Sequence, residues 1–264
     1  MNWNPLLLLF SIILIINQKN QIRAEIKETN SNQFIRTKGV QFNGKPFYAN
    51  GFNAYWLMYT GTDPSERYKV TAAYADAGKH GLSIVRTWAF NDGAGYRTLQ
   101  KSPGIYDESV FQGLDFAVSE ARKYGMKVIL CFGNNFKDFG GKKQYVEWGR
   151  SKGQKIESEE GFYTNVVVKE MYKNHVKKVM NRKNTITGVI YKNDLTIMAW
   201  ELINEPRFYS DKTGATIQSW IKEMAAYVKS MDNNHMVAAG MEGFYGSSHA
   251  GRQQNNPNYL CLHI

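Results

Sequence analysis

The chain has 264 residues, of which 43% are hydrophobic and 14% aromatic. This composition supports a buried core and excludes an intrinsically disordered protein. The formal net charge is +10, but the basic residues are scattered and form no stripe interleaved with aromatics, which argues against a nucleic-acid partner.

An apolar segment occupies residues 6–16 and is followed by the polar residues Asn17, Gln18 and Lys19. It is too short for a membrane span, which needs about 20 residues, and it fits the core of a signal peptide. We therefore predict a signal peptide over residues 1–24, one domain over residues 25–264, and a secreted, extracellular or cell-wall protein. A membrane anchor is the alternative interpretation of this segment.

The rest of the chain alternates predicted strands with predicted helices, starting from a β-hairpin over residues 34–47 that turns at Asn43-Gly44. Strands are predicted at residues 47–53 (a buried strand), 83–88, 127–132, 196–202 and 235–240. Helices are predicted at residues 64–80, 108–124, 158–183 and 215–230, and residues 133–153 form a long segment rich in aromatics and glycine. This cadence indicates parallel βαβ units.

Two α/β architectures share this cadence, a doubly wound sheet and a (β/α)8 barrel. No glycine-rich phosphate loop follows the first strand, and polar residues gather at several strand ends, as in a barrel. Five units occupy residues 48–240, and the 24 residues that follow allow at most one short further strand. The predicted fold is an α/β (β/α)8 TIM barrel that is incomplete here, with about five βα units plus the N-terminal β-hairpin.

The most informative segment is residues 197–207, IMAWELINEPR. It predicts a strand buried on both faces that ends at Glu205, because Pro206 cannot extend the hydrogen-bond ladder. A carboxylate at the C-terminal end of a barrel strand is a candidate catalytic acid. We expect a lid of aromatics to enclose Glu205 partly and raise its pKa, and Asn204 to bind a sugar 2-hydroxyl.

Other predicted strand ends carry the kinds of side chain that a carbohydrate cleft requires. Arg86 and Trp88 lie at the end of the second strand, and Glu242 follows the fifth. Flat aromatic rings suit the apolar face of a sugar, and charged or amide groups suit its hydroxyls. We expect Arg86 to pair with a nearby carboxylate through two hydrogen bonds.

Cysteine and histidine usage gives no sign of a cofactor. Cys131 lies in an apolar strand, where a buried thiol is expected. A disulfide between Cys131 and Cys261 is the alternative, and the sequence does not decide between them. The five histidines lack the spacing of metal ligands. We therefore predict neither metal nor cofactor.

Four motifs together resemble plant endo-β-1,4-mannanases of glycoside hydrolase family 5. They are residues 51–56 (GFNAYW), 86–90 (RTWAF), 200–207 (WELINEPR) and 242–246 (EGFYG), within a resemblance that covers about residues 34–259. It implies a retaining mechanism, secretion to the cell wall, and mannan, glucomannan or galactomannan as the substrate.

The resemblance also implies roles for individual residues. Glu205 matches the acid/base, Asn204 its partner, and Arg86 the arginine that positions the nucleophile. Residues matching the lining of the substrate cleft are Trp88, Arg207 and Glu242. The resemblance ends after Tyr259, before the strand that carries the nucleophilic glutamate in the family, so no nucleophile is assigned in this chain.

Three hypotheses for function follow. The first is an active mannanase that uses Glu205 with another carboxylate. The second is an inactive, truncated relative, and the third is a secreted mannan-binding protein without hydrolysis. Because a retaining glycosidase requires a second carboxylate, we expect the 264-residue chain to lack activity.

Overall fold

The computed structural model describes residues 49–242 and, in backbone only, three short strands before them. The strands are β1 (Thr37–Lys38), β2 (Gln41–Phe42), β3 (Lys45–Pro46), β4 (Gly51–Asn53), β5 (Ile84–Trp88), β6 (Gln100–Ser102), β7 (Ile105–Tyr106), β8 (Lys127–Cys131), β9 (Ile197–Glu201) and β10 (Met236–Ala238). The helices are α1 (Leu57–Gly61), α2 (Arg67–Lys79), α3 (Glu108–Lys123), α4 (Gly141–Ser151), α5 (Gly161–Thr164), α6 (Val166–Met180) and α7 (Ala215–Met231). Two 3₁₀ turns lie at Pro64–Glu66 and Tyr191–Asn193.

The main sheet has five parallel strands in the order β10-β9-β8-β5-β4. Helices separate successive strands of this sheet, so the predicted βαβ units and the partial barrel are confirmed. The predicted hairpin is confirmed by the antiparallel pairing of β2 with β3, and β1 adds a third strand to it.

Burial follows the order of the strands in the sheet. Every residue of the interior strand β9 is buried, whereas β4 lies at one edge and is largely exposed. The predicted first strand was therefore wrong in two respects, since only Gly51–Asn53 is a strand in the described part and it is not buried. The large core packs the helices against Val85, Val128 and Trp200 of the sheet.

Side chains cap the N-termini of two of the seven described α-helices, α3 and α6. Asp107 caps the N-terminus of α3 by accepting a hydrogen bond from the amide of Ser109. At the other end, the C-cap residue Tyr124 is followed by Gly125 in left-handed conformation, at φ 69°. The single helix predicted over residues 158–183 was wrong. Asn165 has extended backbone there and caps α6 through its side chain, so the helix is broken into α5 and α6.

The segment 133–153, for which no helix was predicted, contains α4. Its N-cap is Gly140 at φ 89°, and no side chain caps this end. Gly141 follows at φ 55°, and a Cβ atom there would lie 2.0 Å from the Phe136 carbonyl oxygen. Glycine is therefore required where the helix approaches the preceding loop.

Some predictions lie outside the described residues or receive only a partial answer. The signal peptide and Cys261 both fall outside them. Cys131 is fully buried, as predicted, and burial raises the pKa of its thiol. No described helix has the length and apolarity needed to cross a membrane.

Replacing the α3 cap by Asp107→Ala is expected to lower the free energy of unfolding by about 1 kcal/mol at pH 7. Hydrogen bonds from Lys101 and Ser109 lower the pKa of Asp107 to about 2, below the value of about 3.9 in an unfolded chain. The contribution is therefore complete above about pH 4 and is lost as the pH falls towards 2.

Urea denaturation at pH 7 and at pH 2.5 measures this cap. The matched control is Asp76→Ala, because Asp76 is exposed and, among the described residues, its carboxylate forms an ion pair only with Lys79 on its own helix. A difference between the Asp107 variant and the wild type that does not shrink at the lower pH would contradict the cap.

Candidate active site

The polar residues predicted at the ends of neighbouring strands meet where the parallel strands of the main sheet have their C-terminal ends. Beyond β8 and β9, Asn134 pairs with Asn204 in a parallel bridge. The Asn204 amide donates to the Gly133 carbonyl at 2.8 Å, and the Glu205 amide donates to the Gly240 carbonyl at 2.9 Å. The sheet thus extends to Glu205, with its backbone fixed from both sides.

The side chain of Asn204 is held by two neighbours. Its Oδ1 accepts a hydrogen bond from Arg86 Nη2 at 2.7 Å, and its Nδ2 donates to Asn134 Oδ1 at 3.0 Å. These contacts come from β5 and from the segment after β8. They fix which way the amide faces before any ligand binds.

Arg86 pairs with a carboxylate, as the sequence predicted, and the partner is Glu201 at the end of β9. Nε donates to Glu201 Oε2 at 2.7 Å, and Nη2 donates to Oε1. Burial acts to lower the pKa of Arg86, but its hydrogen bonds with Glu201 and the carboxylate's charge raise it above its usual value. Glu201 was not singled out from the sequence, although a charged residue inside a buried strand was an available signal.

Glu205 has left-handed backbone, with φ 50°. A residue with a side chain is rarely found in this conformation, which costs about 1–3 kcal/mol and is concentrated at functional sites. The Glu205 side chain is 41% exposed, and the aromatic lid over it stays a prediction. The carboxyl is presented to solvent at the C-terminal end of the strand.

Arg207 and Glu242 form a second ion pair beside Glu205. Arg207 Nε donates to Glu242 Oε2 at 2.8 Å and Nη2 donates to Oε1, while Nη2 lies 3.8 Å from Glu205 Oε2. The guanidinium also donates to the Tyr209 hydroxyl at 3.0 Å and lies over the Phe136 ring. Burial acts to lower the pKa of Arg207, and the bonds to Glu242 and Tyr209 outweigh it and raise that pKa.

Trp88, the candidate cleft aromatic, lies in a cluster of rings. Its centroid is 5.1 Å from that of Tyr55, 4.8 Å from Phe90 and 5.0 Å from Phe139. Tyr55 is 46% exposed, so this cluster offers aromatic surface to solvent. Tyr55 and Phe139 were not predicted as site residues, because nothing in their spacing marks them.

Within the described ranges, no three His, Cys, Asp or Glu side chains come close enough together to hold a metal ion. The geometry is instead that of an amide, an exposed carboxyl and two arginine–carboxylate pairs at a strand edge with aromatic surface. Such a set can bind hydroxyl groups and exchange a proton with them.

A family model described as glycoside hydrolase family 5 β-mannosidase-like matches residues 32–264. The chain belongs to this family. Mannan endo-1,4-β-mannosidase 7 of Arabidopsis thaliana is 57% identical over 254 residues, which are 96% of this chain and 59% of that protein. Mannan endo-1,4-β-mannosidase 1 of Oryza sativa is 61% identical over 221 residues, 83% of this chain and 51% of that protein.

Solved structures agree with this assignment. The endo-β-1,4-mannanase of Thermotoga petrophila has a TM-score of 0.70 at 37% identity, over 77% of this chain and 44% of that one. The endo-1,4-β-mannanase of Rhizomucor miehei has a TM-score of 0.72 at 32% identity, over 84% and 66% of the two chains. The chain thus spans between 44% and 66% of the length of these four proteins.

Proposed function

We propose that this chain carries the acid/base half of an endo-acting site that cleaves β-1,4-mannosidic bonds in mannan, glucomannan or galactomannan. The observation that carries the proposal is the Asn204-Glu205 pair just beyond the end of β9, with the amide held by Arg86 and Asn134. Membership of family 5 and the names of the relatives support the substrate class.

Asn204 is suited to a sugar hydroxyl by the bonds it already makes. A primary amide has two N–H donors and two acceptor lone pairs. Among the described residues, Arg86 occupies one lone pair and Asn134 takes one N–H, which leaves one of each. A hydroxyl group can donate and accept at the same time, so both remaining positions fit the sugar 2-hydroxyl.

Glu205 then acts as the proton donor to the leaving glycosidic oxygen, and later as the base that activates water. A retaining enzyme also needs a carboxylate nucleophile about 5–5.5 Å away. The neighbouring carboxylates Glu201 and Glu242 are each bound by an arginine through both oxygens. We therefore propose that neither serves as the nucleophile and that the 264-residue polypeptide does not hydrolyse mannan alone.

Binding of mannan without hydrolysis is the second candidate function. It is favoured by the arginine pairs that bind the carboxylates of Glu201 and Glu242. The exposed aromatic surface at Tyr55 also favours it. We also propose that the protein is secreted, on the basis of the apolar segment at residues 6–16.

The test is affinity electrophoresis of the purified 264-residue protein in gels containing galactomannan or hydroxyethyl cellulose, together with a reducing-sugar assay on mannohexaose. We expect galactomannan to slow the migration of the protein and hydroxyethyl cellulose to leave it unchanged. Because the amide contact to the sugar is lost, Asn204→Ala should weaken binding by about tenfold, equivalent to about 1.4 kcal/mol. We expect no hydrolysis above a Glu205→Gln control.

Two results would oppose the proposal in different ways. A protein that galactomannan does not retard, and that does not cleave mannohexaose, would have neither proposed function. Hydrolysis clearly above the Glu205→Gln control would show that the polypeptide is active, and Glu201 or Glu242 would then be the candidate nucleophile.

A further inference from the structure

The backbone that follows Glu205 is held by a buried polar cluster from two other elements. The Arg207 amide lies 3.2 Å from Asn135 Oδ1 and 3.3 Å from the Tyr163 hydroxyl. Between the left-handed Glu205 and this amide stands only Pro206, whose φ is fixed by its ring. The direction of the Glu205 carboxyl is therefore set by the bonds made at Glu205 and at Arg207.

Asn135 is the centre of this cluster. Its Oδ1 accepts from Lys142 Nζ at 2.9 Å and from the Tyr163 hydroxyl at 3.1 Å, in addition to the Arg207 amide. Asn135, Lys142 and Tyr163 are 4%, 5% and 2% exposed. Three donors on one amide oxygen, shielded from water, leave it little freedom to rotate.

Lys142 is a buried lysine whose ammonium is bound by neutral groups. Among the described residues, no carboxylate lies within ion-pair distance of its ammonium, which meets Asn135 Oδ1 and the ring of Tyr163, 5.8 Å away. Burial lowers its pKa. The negative charges of Glu159 and Glu160 act in the opposite direction without offsetting burial, and a buried charge that lacks a direct ion-pair partner is unfavourable.

The position of Lys142 is fixed by the start of α4. Its backbone amide donates to the Asn134 carbonyl at 2.8 Å, and Gly141 before it leaves no room for a side chain. The helix start is thereby joined to the segment that also holds Asn204.

We infer that Lys142, Asn135 and Tyr163 are positioning residues that act through Arg207 to hold the carboxyl of Glu205 in line with the Asn204 amide. The part of this inference that concerns the substrate rests on the proposed function. The part that concerns the backbone does not depend on it.

The experiment uses the 264-residue protein with Lys142→Met and Tyr163→Phe, each close in size to the residue replaced. Lys143→Met is the matched control, because Lys143 is exposed and, within the described part of the chain, its one ion pair is with Glu147 on the same helix. Two quantities are measured: the hydrogen-exchange rate of the Arg207 amide by NMR, and the Kd for mannohexaose by calorimetry.

We expect exchange at Arg207 to be about tenfold faster in both variants, with unchanged protection in β8 and β9, and the Kd to rise about tenfold. Unchanged exchange at Arg207 in Tyr163→Phe would overturn the inference, and so would an equal loss of protection throughout β8 and β9. If Lys142→Met does not fold, Tyr163→Phe decides alone. If the wild type does not bind mannohexaose, the proposed function fails, while exchange at Arg207 still decides the role of the three residues.

Discussion

Replacing Arg86 by methionine is expected to lower the free energy of unfolding by about 3–5 kcal/mol, as when one partner of a buried ion pair is removed. Glu201 has a side chain that is only 6% exposed and receives two hydrogen bonds from Arg86. Without Arg86 its charge stays buried and loses both of these bonds. Methionine fills much of the volume of the arginine stem, so the loss reports mainly the unpaired charge.

Urea denaturation followed by circular dichroism measures this effect, with two further variants as controls. The double variant Arg86→Met with Glu201→Gln removes both charges and should recover part of the loss, because a neutral amide is less costly to bury. Lys143→Met breaks an exposed pair and should change stability by less than about 1 kcal/mol. A loss for Arg86→Met no larger than that of Lys143→Met would contradict a buried, stabilising pair.

Elements with local signals were predictable from the sequence. The helix α3 has an aspartate at its N-cap and a glycine just after its end, and both act through bonds to nearby backbone. The helix α4 begins at glycines in left-handed conformation with no capping side chain. It forms through contacts with the loop before it, which no local pattern encodes.

The position of a strand within the sheet could not be predicted from the sequence either. The apolar character before Asn53 suggested a buried strand, but β4 lies at a sheet edge in the described part of the chain and is largely exposed. Burial depends on which strands are neighbours, and these are separated by whole helices.

The candidate site was predictable in part, because parallel strands bring their C-terminal ends to a common edge. Arg86, Asn204 and Glu205 could therefore be grouped from two strand ends. Their partners could not, since Glu201 meets Arg86 across 115 positions and Lys142 meets Asn135 through a helix that was not predicted. Side-chain pairing of this kind depends on the three-dimensional packing.

The role of Glu205 predicts the largest effect on activity. In a barrel completed by joining this chain to the part of the Arabidopsis relative that follows its matched region, Glu205→Gln is expected to slow mannan hydrolysis by about 10²–10⁴-fold, as for loss of a general acid/base. An amide has nearly the shape of the carboxyl but cannot donate the proton to the leaving sugar oxygen. The conservative change therefore isolates proton transfer from folding.

The most direct measurement compares two substrates of this completed barrel, mannohexaose and dinitrophenyl β-mannobioside. Dinitrophenolate leaves without being protonated, so formation of the glycosyl-enzyme intermediate from that substrate does not require a general acid. We predict that Glu205→Gln slows cleavage of mannohexaose by at least a hundredfold more than it slows the initial burst of dinitrophenolate release. An equal loss on both substrates, or no loss on mannohexaose, would contradict the assignment of Glu205 as the acid/base.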